Sequence, residues 1–276
     1  MHNSDQHDQF FHEGYLVIRN VLNHEEVKEL QDCASQIWND YRELSEDSFF
    51  GNCFIQLLRA CNPFDSNINQ AAPIKGKIRR VTYPYAFFPT LDRYRTHANI
   101  ISIVRTILGE NIVQIVNQLN YNSPKEGTGW GWHQDYRFRK EGLTDLPKSY
   151  VQTVIAIDPM SEENGGIRLI PKSQNIGPLK LDIEQENAES QFDATKTVTP
   201  QLNPGDLLAF GPYMIHGSTP NNSEFTRRVF INGYANANFC DYGMPVLMNG
   251  KVIKKAQGIM EYESQESLVA ASTKRA

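Results

Sequence analysis

Apolar and polar positions along this chain change period once, near residue 110, and that change predicts helices first and strands afterwards. Phe10 to Asn20 reads as the end of a short helix, a break at Gly14 and an apolar strand. Asn23 followed by Glu26 is a capping-box pattern. Val27, Leu30, Ala34 and Ile37 follow at helical spacing, predicting an amphipathic helix to about residue 40. Residues 41–75 are poorly periodic and interrupted by Gly51, Pro63 and Pro73, so a variable, partly helical stretch near the substrate is expected there. Arg79 to Phe88 is aromatic-rich, and ordinary packing accounts for it. A second helix carries Ile100, Ile103, Val104, Ile107 and Leu108 on one side and stops at Gly109.

Beyond Asn111 the runs shorten. Ile112–Tyr121, Tyr150–Ile157, Ile167–Ile170, Leu207–Phe210 and Arg227–Ala235 read as strands. Turn residues separate them: Ser123 to Gly129, Asp158 to Gly166, and Asn203-Pro204-Gly205-Asp206. Residues 173–198 are polar and acidic, an exposed excursion. Helices followed by many short strands favour a mainly β fold, a sandwich or jelly roll with helices packed outside.

Composition narrows the class. A chain of 276 residues with 40% hydrophobic and 21% charged residues can bury a sizeable core, as soluble globular proteins do. The net charge of −5 argues against a nucleic-acid or membrane-surface binder. No run approaches the roughly 18–20 apolar residues of a membrane span, and the polar opening lacks signal-peptide order. Cys33, Cys53, Cys61 and Cys240 form no CxxC or zinc-site spacing, so reduced thiols in a cytoplasmic setting are expected.

The candidate chemistry lies in Trp130-Gly131-Trp132-His133-Gln134-Asp135-Tyr136-Arg137-Phe138-Arg139. On extended backbone, residues two apart share a face, so His133 and Asp135 can offer a nitrogen and an oxygen to one metal. His216, 83 positions later, is the best third ligand. Two histidines and one carboxylate make the facial triad of non-haem Fe(II) oxygenases. Taken alone, however, an H-x-D tripeptide is more often a surface histidine beside a solvated acid.

Several motifs in order carry a resemblance that answers this ambiguity. They are Gly14-Tyr15-Leu16-Val17-Ile18-Arg19 with its capped helix, His133-Gln134-Asp135, and the hairpin from Ile157-Asp158-Pro159 through Glu163-Asn164-Gly165-Gly166 to Ile170-Pro171. Pro204-Gly205-Asp206 and His216-Gly217-Ser218 with Arg227 complete the set. Over residues 9–240 the chain resembles the phytanoyl-CoA dioxygenase family of Fe(II)- and 2-oxoglutarate-dependent oxygenases, which contains ectoine hydroxylase. The resemblance implies a double-stranded β-helix (jelly-roll, cupin-like) core, iron on His133, Asp135 and His216, and O2 and 2-oxoglutarate as cosubstrates. It assigns the distal carboxylate of 2-oxoglutarate to Arg227, eleven positions past His216, with help from Ser218 and Asn120. A planar, permanently charged guanidinium suits that task. Arg228 should face the other way on the same strand, and a register shifted by one would give it that role instead. Many relatives have a lysine near the position that Asn122 holds here.

The implied reaction is oxidation of a C–H bond of a small metabolite, with release of succinate and CO2. Asp135 sits where halogenases of this kind lack a carboxylate, which favours hydroxylation or another halide-free oxidation. Candidate pocket residues are Trp130, Trp132, Tyr136, Phe138 and Tyr213. Arg137 and Arg139 would bind an anionic substrate if they faced the iron, and would be plain surface charge otherwise. Competing readings are a jelly roll that only binds a ligand, and a metal-dependent hydrolase. Residues 1–240 are expected to form one domain, monomeric or homodimeric, and 241–276 a partly mobile extension.

Overall fold

The computed structural model describes residues 3–59, 71–125, 129–138, 143–179 and 189–254. Helix α1 (Asn3–Glu13) ends at Gly14, whose φ of +82° lets the chain turn into β1 (Tyr15–Ile18). Helix α2 (His24–Asp40) begins with the capping box read from the sequence, Asn23 accepting from Glu26 N and Glu26 accepting from Asn23 N. Its buried face is Val27, Leu30, Ala34 and Ile37, the predicted stripe. A short helix α3 (Pro89–Arg95) precedes the second predicted helix, α4 (Ala98–Leu108), which Gly109 closes as expected.

The stretch read as partly helical contains strands instead. β2 (Ser48–Phe50) and β3 (Cys53–Leu57) form a hairpin, and β3 pairs with β4 (Ile78–Thr82). Cys53, Ile55 and Leu57 are buried in strict alternation, a period-two signal too short to stand out beside the Gly51 break. Residues 60–70 of that stretch lie outside the described residues.

The remaining strands are β5 (Ile112–Asn122), β6 (Trp130–His133), β7 (Tyr150–Ala156), β8 (Ile167–Leu169), β9 (Leu207–Phe210), β10 (His216–Ser218) and β11 (Arg227–Asn236). A short helix α5 (Leu146–Ser149) precedes β7. Past residue 240, β12 (Met244–Met248) pairs with the start of β5 and with β13 (Lys251–Val252), so the sheet continues beyond that point. The major sheet runs β1-β9-β7-β11-β5-β4-β3-β2, and a small sheet runs β6-β10-β8. The paired strands are antiparallel, the two-sheet arrangement of a jelly roll.

Side-chain alternation sorts the major sheet into two faces. Leu119, Tyr121, Val151, Ile155, Phe230 and Tyr234 join the core formed with the helices. Tyr121 Oη donates to Ala34 O at 2.8 Å, fixing α2 on that face. The opposite face, with Asn120, Asn122, Gln152, Val154, Arg227 and Val229, turns toward the small sheet and lines a cavity. Among the described residues no helix is long and apolar enough to cross a membrane.

Candidate metal centre and active-site cavity

His133 ends β6 and His216 begins β10, and the two are register partners in the small sheet. Their ring centroids lie 4.1 Å apart. His133 Nδ1 lies 2.9 Å from Gly131 O, and His216 Nδ1 lies 2.9 Å from Met214 O. A carbonyl can only accept, so each Nδ1 carries the hydrogen and each Nε2 keeps its lone pair for a ligand. Both Nε2 atoms face Asp135 Oδ1, at 3.9 and 3.8 Å.

Asp135 opens a 3-10 turn over Asp135–Phe138. Between the two candidate ligands, Gln134 is fully buried and turned the other way. Its amide donates to Gly177 O (2.9 Å) and Tyr213 O (2.8 Å) and accepts from Leu179 N (2.8 Å). That clamp holds the loop so that His133 and Asp135 present to one side. Tyr136 N donates to Pro212 O at 2.9 Å, pinning the next residue as well.

The ligand atoms of His133, Asp135 and His216 all lie within 4.8 Å of one another, and all three residues are buried. Separations near 3.8–3.9 Å exceed hydrogen-bonding distance. They are still short enough for a shared ion, since two ligand atoms about 2.0–2.2 Å from it are at most about 4.4 Å apart. Asp135 Oδ2 is buried with no hydrogen-bond partner. A cation removes the cost of that orphaned oxygen. The residues therefore fit a metal, and two imidazoles with one carboxylate suit Fe(II) with further positions open.

The cavity beside them has a volume of about 450 Å³. Arg227, 5% exposed, reaches into it, and its Nη2 donates to Gly165 O. Burial pulls its pKa down to about 10, against a smaller opposing effect of Asp158, so it stays charged at neutral pH. Its Nε has no hydrogen-bond partner. A buried cation with an unused donor, on a cavity wall, fits a carboxylate such as that of 2-oxoglutarate. Arg228 points outward as its position on the strand requires, donating to both Asp158 oxygens at 2.7 Å.

Ser218 and Asn120 line the same cavity. Ser218 Oγ accepts from Trp130 N at 3.1 Å, and Asn120 Oδ1 is buried without a partner. Of the flanking aromatics, Trp130 lines the cavity. Trp132 packs away from it against Ile170, Leu179 and Ile215, with the Arg168 guanidinium 4.1 Å from its ring centre. Tyr136 and Tyr213 pack on each other at 5.2 Å, and Tyr136 Oη donates to Leu179 O; neither is among the lining residues. The side chains of Arg137 and Phe138, and the whole of Arg139, lie outside the described residues.

Sequence reasoning missed Arg79 and Arg80 on β4, together with Gln56, Gln118 and Gln152, which also line the cavity. The available signal was the charged pair set between apolar Ile78 and Val81, where a strand buried on both faces has no use for it.

Comparison with known proteins agrees with this geometry. A probable alpha-ketoglutarate-dependent hypophosphite dioxygenase from Stutzerimonas stutzeri is 25% identical over 244 residues, 85% of this chain and 79% of that protein. A methylphosphonate hydroxylase from Gimesia maris is 28% identical over 159 residues, 56% of this chain and 57% of that protein. The crystal structure of EctD from S. alaskensis with bound Fe superposes with a TM-score of 0.65 at 20% identity, covering 86% of this chain and 77% of that one. Residues 10–229 match the family described as Phytanoyl-CoA dioxygenase (PhyH). Because that match runs from α1 into β11, through both histidines and not over an isolated motif, the chain belongs to the phytanoyl-CoA dioxygenase (PhyH) family of Fe(II)- and 2-oxoglutarate-dependent dioxygenases.

Proposed function

We propose that this enzyme oxidises a C–H bond of a small metabolite, most simply to an alcohol, using Fe(II) held by His133, Asp135 and His216. One O2 is consumed: one oxygen atom enters the product, and the other enters the succinate formed as 2-oxoglutarate loses CO2. The iron and its keto-acid cosubstrate supply the oxidising power, and the protein supplies ligation, orientation and exclusion of side reactions. Arg227 grips the distal carboxylate of 2-oxoglutarate, and Ser218 and Asn120 stand beside it as further polar contacts. The carbonyls of Gly131 and Met214 hold the two imidazoles in the ligating tautomer.

The observation that carries this reading is the convergence of three buried ligand atoms within 4.8 Å on the wall of the cavity that also holds Arg227. The relatives named for hypophosphite and methylphosphonate support a compact substrate over a long acyl chain. Among the described lining residues there is no carboxylate or imidazole beyond the three ligands, so a hydrolytic centre would lack a base.

The test is anaerobic addition of Fe(II) and then 2-oxoglutarate to the apoprotein, following the visible charge-transfer band of the chelated keto acid. A band in wild type that His216→Ala abolishes and Arg227→Ala shifts to higher cosubstrate concentration supports the proposal. Its absence from folded, iron-loaded wild type would point to a jelly roll that only binds a ligand.

A further inference from the structure

Strand β4 carries an irregularity that bears on the substrate. Gln56 pairs with Arg80 and Leu57 with Ile78, so Arg79 is an extra residue with no partner on β3. Ile78 and Val81, three positions apart, are both fully buried in the helix-side core, which plain alternation would not allow. The inserted residue is a β-bulge, a device that re-aims side chains. Here it turns two consecutive arginines, Arg79 and Arg80, into the cavity where alternation would turn one.

The two guanidiniums crowd one wall. Arg79 lies 4.6 Å and Arg80 5.7 Å from the centre of the Trp130 ring. Arg79 also donates to Gly129 O at 3.1 Å. Arg80 Nε is buried without a hydrogen-bond partner. The carboxylate whose charge acts on Arg80 is that of Asp47, which is already gripped two-pronged by Arg59. Burial outweighs Asp47 and pulls the Arg80 pKa below its usual value. Arg80 pairs with Asn120 on β5, and Arg227 sits on the far side of β5 opposite Asn122. Two strand spacings, about 10 Å, and a two-residue step along β5, about 7 Å, thus separate it from the cosubstrate arginine.

Charge balance points the same way. The described lining residues carry three arginine cations and one carboxylate, Asp135. Fe(II) and doubly charged 2-oxoglutarate cancel each other, so among these described lining residues arginine charge stays in excess of carboxylate charge. A low-dielectric wall of that kind favours an anionic substrate.

Building on the dioxygenase reading, we infer that Arg80, with Arg79 beside it, is the substrate's acid-binding site and selects a compact phosphonate-type oxyanion, leaving Arg227 to 2-oxoglutarate.

The probe is methylphosphonate, titrated calorimetrically into the anaerobic Fe(II)–2-oxoglutarate protein, with its neutral dimethyl ester as control. Wild type should bind the acid and not the ester. Arg80→Gln should weaken acid binding about 10- to 100-fold while keeping the charge-transfer band, and Arg80→Lys should recover part of the loss. Equal binding of acid and ester, no binding by wild type that shows the band, or unchanged binding by Arg80→Gln would overturn the inference and leave the dioxygenase reading standing. Loss of the band in Arg80→Gln would instead place Arg80 in the cosubstrate site and overturn it too. Absence of the band from wild type would be the failure of the dioxygenase reading itself.

Discussion

His133 and His216 face one another across the β6–β10 ladder, and backbone pairing sets that relationship. The ligand pair is therefore preorganised by the sheet, and Asp135 is brought to it by the turn that follows. The closeness of the two strands depends on Gly217, wedged between His216 and Ser218.

Gly217→Ala should damage metal binding without unfolding the protein. A Cβ at Gly217 would stand 2.8 Å from Trp130 O and 3.2 Å from Gly131 O. Both are backbone atoms that cannot swing aside, and Gly131 O is the acceptor that orients His133. Strand β10 must retreat from β6, separating the histidines. Fe(II) affinity is expected to fall about 10- to 100-fold, the range for losing outer-shell support. Equilibrium dialysis measures it, with circular dichroism as the folding control. Unchanged affinity would mean the ladder tolerates the methyl group.

Gln134 offers a chemically sharper test. Gln134→Ala leaves Gly177 O, Tyr213 O and Leu179 N without their partner, at a cost of about 1–3 kcal/mol. Gln134→Glu keeps the shape but places an acceptor-only carboxylate against two carbonyls, so it should lower the urea midpoint at least as much. If the Glu variant were as stable as wild type, the donor role assigned to the amide would be wrong.

Arg227 and Arg228 should separate function from stability. Arg227→Ala is expected to raise the 2-oxoglutarate concentration needed for the anaerobic band by about 30-fold or more, since a buried charged partner is lost. Arg228→Ala should leave that titration alone. It should instead lower stability by about 1–3 kcal/mol, through loss of the forked bond to Asp158 and the contacts to Gln31 O and Ser35 on α2. A cosubstrate defect in Arg228→Ala would reverse the two roles.

That pair also shows what could be read in advance. Strand period two puts Arg227 and Arg228 on opposite faces once β11 is recognised, and the family resemblance is what nominates Arg227 as the inward one. The capped helix α2 and the short strands after residue 110 were legible for the same reason: their signals are local. Arg79 and Arg80 were not, because a bulge breaks the period and its existence depends on how β4 pairs with β3. Trp132 illustrates the converse. Its closeness in sequence to His133 suggests the pocket, yet as the residue next to His133 it turns to the opposite side, against Ile170 and Ile215, while the register shift between β6 and β10 leaves Trp130 on the cavity side.

Removing the metal should silence the enzyme without unfolding it. The histidines are held by their own backbone carbonyls, and among the described residues the apolar cores on either side of the major sheet are built from side chains other than the three candidate ligands. Chelator-treated protein should still melt cooperatively and regain the charge-transfer band when Fe(II) is restored. By mass action, Fe(II) at a hundredfold excess over its Kd adds about 2.7 kcal/mol to wild type. Asp135→Ala should lose that increment. In the metal-free state it should be at least as stable as wild type, because it deletes the buried and unpartnered Oδ2. Thermal melts of both proteins with and without Fe(II) measure all four values. If metal-free wild type showed no cooperative transition, the ion would be part of the folding core, and the ladder alone would not be what brings His133 and His216 together.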